Sequence, residues 1–184
     1  MVNYPLGIDI KEKKKLTQYG NRGMSLEQEI NESNRYYLNK EIAVIYKKDT
    51  PIKIVKMNEE TKQISSAFFS KHSTTDYNGV FKGKYIDFEA KTTNNKTAFP
   101  LANFHSYQLE HLKRITKLGG IGFVLFEFKT LNLYFVVFYK ELDYFLTNNK
   151  RKSIPLSFFK EKGKQIKRGI EPPLDYLKII EKKL

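Results

Sequence analysis

At 184 residues the chain is long enough for one buried core and short for two, and it has no cysteine, which excludes disulfides, thiolate nucleophiles and zinc–thiolate sites. No apolar run reaches membrane-span length, and residues 1–18 hold no apolar stretch of signal-peptide length, so a cytoplasmic protein without membrane partners is expected. Lysine and arginine outnumber acids 33 to 20, and the resulting net charge of +13 is a single-sign field that draws polyanions to a small domain.

Residues 1–20 carry Lys11, Lys13, Lys14 and Lys15 without periodicity and read as a flexible basic arm; residues 21–184 are expected to form one domain. Ser25 and Gln28 have capping-box spacing, and Leu26, Ile30, Tyr37 and Leu38 continue with roughly helical spacing, so a helix runs to about Leu38. Residues 43–46 and 52–55 read as short strands joined by the turn Asp49-Thr50-Pro51. From 57 to 75 the pattern is polar and irregular, too long for a simple connection, and suggests a protrusion.

Val80-Phe81 and residues 85–90 flank Lys82-Gly83-Lys84, a hairpin signal, and a polar loop follows over 92–97. Residues 105–118 form a helix with Tyr107, Leu109, Leu112, Ile115 and Leu118 as its apolar set, stopped by Gly119-Gly120. A second hairpin spans 121–128 and 133–139, and 141–148, 156–161 and 174–183 are helical pieces. This order predicts an α/β or α+β domain: a mixed central sheet flanked by helices, with an irregular protrusion.

Three readings of the charge compete: nucleic-acid binding, an anionic membrane surface, and coding bias. Lys, Asn, Ile, Phe and Tyr are all abundant and only five residues are Arg, as in AT-rich coding. Bias alone would not deplete the acids as well. The lysines are dispersed, with no basic amphipathic helix to lie on a membrane. Nucleic acid is the expected partner.

The chemistry lies on one strand. Asp87, Glu89 and Lys91 alternate and leave one face, while Ile86, Phe88 and Ala90 leave the other. An ordinary half-exposed strand alternates in the same way, so a second signal is needed. Asp76, at the edge of the preceding strand, is returned by the hairpin toward Glu89. Two converging carboxylates repel each other, and a divalent cation with a preference for hard oxygen ligands, Mg2+ above all, relieves that repulsion. Such an ion binds a phosphate oxygen and lowers the pKa of a bound water, while Lys91 stabilises the charge that develops on phosphorus. Asp76, Glu89 and Lys91 are therefore the expected catalytic residues of a DNA-cutting site.

Asp76…Glu89-Ala90-Lys91 resembles the acid, then acid-x-lysine pattern of the restriction-endonuclease-like nucleases. The Asn21-Arg22-Gly23-Met24 block, Ser73-Thr74-Thr75-Asp76-Tyr77-Asn78-Gly79, the strand over 85–91, and Phe99-Pro100-Leu101 leading to Asn103-Phe104-His105 and Gln108 together resemble the RecU family of bacterial Holliday junction resolvases. The resemblance runs from about Asn21 to the segment at Asp175-Tyr176. It implies a restriction-endonuclease-like fold with a stalk, matched to residues 57–75. It also implies a homodimer that nicks two opposed strands of a four-way DNA junction symmetrically with Mg2+ or Mn2+, in recombination and repair. Carried onto this chain, the metal ligands are Thr74, Asp76, Glu89 and Gln108, and Lys91 stabilises the transition state. A recombinase and branch-migration proteins are the further candidate partners.

Several residues have a functional and a plain reading. Phe68 and Phe69 enter the core or cap an unstacked base pair at the junction centre, with Lys71 holding phosphate beside them. Arg22 contacts the DNA backbone or docks a partner protein. Lys96 in the polar loop contacts phosphate. His72, His105 and His111 form no metal or general-base set, and His105 is expected to be structural. Asp87 is expected to support Lys91. Two other functions fit the same residues: a DNA-binding partner of a recombinase without catalysis, and a nuclease of the same superfamily that cuts plain duplex.

Overall fold

Ser25 starts the first helix as expected: its hydroxyl accepts from the Gln28 backbone at 3.3 Å, and the Gln28 side chain accepts from the Ser25 backbone at 2.8 Å. The computed structural model describes residues 25–69 and 74–184. The arm over 1–20, Arg22, Lys71 and His72 lie outside the described residues.

The elements in chain order are α1 (Leu26–Asn39), β1 (Ala43–Lys47), β2 (Ile52–Met57), β3 (Ile64–Phe69), β4 (Tyr77–Phe81), β5 (Lys84–Thr93) and β6 (Ala98–Pro100). Then come α2 (Ser106–Lys117), β7 (Ile121–Phe128), β8 (Leu133–Phe138), α3 (Tyr139–Asn148), β9 (Ser153–Pro155), α4 (Leu156–Glu161), β10 (Lys164–Ile166) and α5 (Leu177–Glu181). Six strands form the main sheet in the order β1-β4-β5-β7-β8-β10. All neighbours are antiparallel except β5 and β7, whose parallel pairing requires the crossover that α2 supplies. The expected mixed sheet flanked by helices is the architecture observed.

Both faces of the sheet are covered. On one, Ile86 and Phe88 of β5 pack with α1 and α5, and Phe88 stacks on Phe123 at 4.6 Å and on Tyr77 at 4.9 Å. On the other, Val124, Phe126 and Phe128 of β7 pack with Leu112 of α2, Leu142 of α3 and Phe159 of α4. At Gly79 the backbones of β1 and β4 approach so closely that a Cβ would collide with the Val44 carbonyl and Ile45. Strand β5 is paired on both edges, with β4 and β7, in the middle of the sheet.

Three sequence expectations need correction. Strand β2 pairs with β3 in a separate two-stranded sheet, not with β1, and β1 pairs with β4. The stretch over 57–75, read as irregular, therefore contains a strand, and the protruding ribbon begins already at Ile52. Every residue of β2 and β3 is exposed. A ribbon that buries neither face leaves no alternation of apolar and polar residues for a sequence to display. The C-terminal helix is also shorter than the expected 174–183, because Leu174 makes a β-bridge to Arg168.

Candidate active site

The turn between β4 and β5 sets the site. Lys82 and Gly83 both have positive φ, 48° and 73°, the conformation of a two-residue hairpin turn. The register it imposes pairs Tyr77 with Phe88. Asp76, one residue before, therefore comes level with Glu89 on the same face, and its Oδ2 accepts from the Ala90 backbone N–H at 2.9 Å.

Glu89 is 2% exposed. Its Oε1 receives Lys91 Nζ at 2.8 Å and Gln108 Nε2 at 2.6 Å, whereas Oε2 is buried and receives no hydrogen bond among the described residues. Burial first, and then the negative charge of Asp76, push the Glu89 carboxyl up to about 7, against the opposing pull of Lys91. Lys91 is itself largely buried, with its ammonium 5.6 Å from the centre of the Phe104 ring. Its position is thus defined by a carboxylate on one side and an aromatic face on the other.

A divalent cation suits this geometry. Two carboxylates converge, one buried carboxylate oxygen has no hydrogen-bond partner among the described residues, and the upward push on the Glu89 carboxyl marks a place where positive charge is favoured. Gln108 touches Glu89 through its amide nitrogen, and its oxygen accepts from the His105 backbone at 3.1 Å, so this side chain caps α2 while orienting Glu89. The hydroxyl of Thr74 is exposed and accepts from Lys48 Nζ at 3.1 Å.

Asp87 does not support Lys91. Four residues along a strand place the two about 13 Å apart, beyond side-chain reach. Instead Asp87 is fully buried and receives Lys48 Nζ at 2.7 Å, Tyr85 OH at 2.9 Å and a short bond from Thr75 Oγ1, with His111 Nε2 at 3.0 Å. The sequence does not single out Lys48 or Tyr85, and His111, set aside there as a metal or general-base candidate, is instead a partner of Asp87. The one available signal was the three-residue step from Gln108 to His111, which puts both on one face of α2. Lys48 carries no signal in a chain so rich in lysine.

The outlying residues are also placed. Phe68 and Phe69 stay out of the core at 52% and 75% exposure, on the ribbon. Lys96 is exposed in the loop after β5, and His105 stacks on Tyr107 at 5.2 Å. No helix among the described residues is long and apolar enough to cross a membrane.

A helix-flanked mixed sheet whose central strand presents Glu89 and Lys91 from one face, with Asp76 brought beside them by the β4–β5 turn, defines an α+β domain with a clustered acid-and-lysine site. The model of the RecU family, recombination protein U, matches residues 21–182. A Holliday junction resolvase RecU of Pediococcus pentosaceus is 53% identical over 170 residues, covering 89% of this chain and 85% of the relative. The protein of the same name from Streptococcus equi is 44% identical over 195 residues, covering 100% and 96%. The chain belongs to the RecU family, as its motifs suggested. Among solved structures, Archaeoglobus fulgidus Hjc, a Holliday junction resolvase, has 12% identity and a TM-score of 0.41, covering 68% of this chain and 84% of that one.

Proposed function

We propose that this protein is a structure-selective endodeoxyribonuclease that resolves Holliday junctions in the cytoplasm, during homologous recombination and DNA repair. It acts as a homodimer, one site per protomer, nicking two opposed strands symmetrically in the presence of Mg2+. The observation that carries the reading is the convergence of Asp76 and Glu89 beside Lys91, with Glu89 Oε2 buried and without a hydrogen-bond partner among the described residues. The names and high identity of the relatives support the choice of a junction over other DNA.

Asp76 and Glu89, with Thr74 and Gln108, would hold Mg2+, and Mn2+ can substitute because it accepts the same oxygen donors. When bound, the ion supplies Lewis acidity toward a phosphate oxygen and lowers the pKa of water. The protein's own contributions are positional and electrostatic. Gln108 and Lys91 together fix Glu89 Oε1, and the sheet fixes Asp76 opposite it. Among the described residues, Lys91 carries the one ammonium in direct contact with this acid pair. It is placed to offset the negative charge that builds on phosphorus as water adds and the ester oxygen leaves.

Selectivity would come from junction shape. The protruding ribbon presents Phe68 and Phe69 to solvent, where an aromatic face stacks on any unpaired base. Arg22, Lys71 and Lys96 are assigned to phosphate contacts. The test sets a four-way junction against a linear duplex of the same sequence, with Mg2+ or with EDTA. Symmetric nicks in the junction alone, and with Mg2+ alone, are expected. A junction bound tightly yet left uncut in Mg2+ would sink the catalytic assignment, and equal cutting of the duplex would sink the selectivity.

A further inference from the structure

We infer that Lys48 is a positioning residue for the metal-binding segment, locking Thr74, Thr75 and Asp76 against the buried anchor Asp87 on the strand that carries Glu89. This rests on the nuclease reading above and extends it to residues that reading does not use. Three observations carry the inference.

The first is the number of bonds. An ammonium has three protons. Lys48 Nζ donates to Thr74 Oγ1 at 3.1 Å, Thr75 Oγ1 at 2.6 Å and Asp87 Oδ2 at 2.7 Å. All three are committed within the protein, and the side chain is only 17% exposed. A lysine held in this way has no donor left for a phosphate, so the general role of lysine in this basic chain does not apply to it.

The second is the place it grips. The Lys48 backbone N–H donates to the Asp76 carbonyl at 2.7 Å, extending the β1–β4 ladder one step past Lys47 and Tyr77. One residue therefore holds three consecutive residues: the two threonines by its side chain and Asp76 by its backbone. Those are the residues that deliver one half of the acid pair.

The third is the anchor. Asp87 is two residues before Glu89 on the same face of β5, a spacing of about 7 Å. It is fully buried and is itself held by Thr75, Tyr85 and His111. His111 and Gln108 make parallel ties from α2 to Asp87 and Glu89, so helix, central strand and β1 are joined around the same pair. Lys48 thus transmits the position of β5 to Asp76. Without the Lys48 ammonium, Asp76 keeps its bonds to Ala90 and to the Lys48 backbone, but the two threonines before it lose their tie to Asp87, and with it the restraint that steadies Asp76 beside Glu89. Partners that orient metal ligands in this way commonly change metal affinity or activity by about 10- to 100-fold when removed.

The test compares full-length wild type with Lys48→Met, Lys48→Arg, Asp87→Asn and the Lys48→Met/Asp87→Asn double variant. Mn2+ binding is read by calorimetry without DNA, four-way junction binding in EDTA, and single-turnover cleavage at limiting and saturating Mg2+. Lys48→Met should weaken Mn2+ binding by about 10- to 100-fold while junction binding stays within about threefold, and saturating Mg2+ should restore much of the rate. Lys48→Arg should lie between it and wild type. The double variant should be no worse than about the poorer single, because the two residues act as a unit. Unchanged Mn2+ affinity and cleavage in Lys48→Met overturns the inference. So does a parallel loss of junction binding in EDTA, which would make Lys48 a DNA contact. If Lys48→Met fails to fold, Lys48→Arg and Asp87→Asn decide by the same readouts, wild-type Mn2+ affinity in both counting against the role. A wild type that never cuts a junction defeats the nuclease reading, whereas a cutting wild type with indifferent variants defeats this inference alone.

Discussion

Asp87 and Glu89 leave the same face of β5 two residues apart, and their carboxylates are used in opposite ways. Each is buried, at 0% and 2% exposure. Asp87 is surrounded by partners from Lys48, Thr75, Tyr85 and His111, which satisfy a buried charge. Glu89 has two donors on one oxygen and none, among the described residues, on the other. One carboxylate is a structural anchor, and the other keeps one oxygen without a donor among the described residues, which is where the proposed cation would bind.

Glu89→Gln and Lys91→Met should separate metal binding from charge stabilisation. Glu89→Gln should lose Mn2+ binding and cleavage together, with the rate down by at least about 10²–10³-fold, while junction binding in EDTA persists. Lys91→Met should lose a similar factor in rate and still bind Mn2+. Calorimetry paired with single-turnover cleavage checks both, and loss of Mn2+ binding in Lys91→Met would contradict its assigned role.

The raised Glu89 carboxyl makes the metal-free protein pH-sensitive. Below its ordinary value of 4.5 the group is protonated folded and unfolded, and its burial is not opposed. Between 4.5 and about 7 the unfolded chain releases a proton that the folded chain retains, so stability falls as pH rises. The loss is complete above the folded value and amounts to about 3 kcal/mol. Urea unfolding in EDTA at several pH values should show this decline in wild type and not in Glu89→Gln. Parallel curves for the two proteins would refute it.

Phe68→Ala and Phe69→Ala should leave stability within about 0.5 kcal/mol, since neither ring is in the core. Each should cost about 1–3 kcal/mol of junction binding if the ring stacks on a base. Binding to linear duplex should not change. Competition between junction and duplex measures the difference, and equal effects on the two would remove the ribbon from junction recognition.

Junction binding should weaken steeply with salt, because each lysine–phosphate contact releases about 0.9 of a counterion on duplex arms. Lys96→Ala should lower the slope of log affinity against log salt by about one and leave cleavage at saturating DNA intact. An unchanged slope would show that the exposed Lys96 touches no phosphate.

Much of the fold was legible in the chain itself. Ser25 and Gln28 announced α1, Lys82-Gly83 announced the β4–β5 turn, and the alternation along 86–91 put Glu89 and Lys91 on one face, because caps, turns and strand pleat act over a few residues. Membership of the RecU family was legible as well, since its motifs are local. Other features required the tertiary structure. The β2–β3 pairing left no burial pattern to read, and Asp87 was assigned to Lys91 because both share a face, although strand rise keeps them apart. The clamp from Lys48 to Thr74, Thr75 and Asp87 joins three strands across up to 39 residues of chain, and no local pattern distinguishes that lysine from its neighbours. The sequence by itself determined which residues face one another along a single strand. Only the packing of β1, β4, β5 and α2 decided which buried carboxylate was saturated with donors and which kept an oxygen without a hydrogen bond among the described residues.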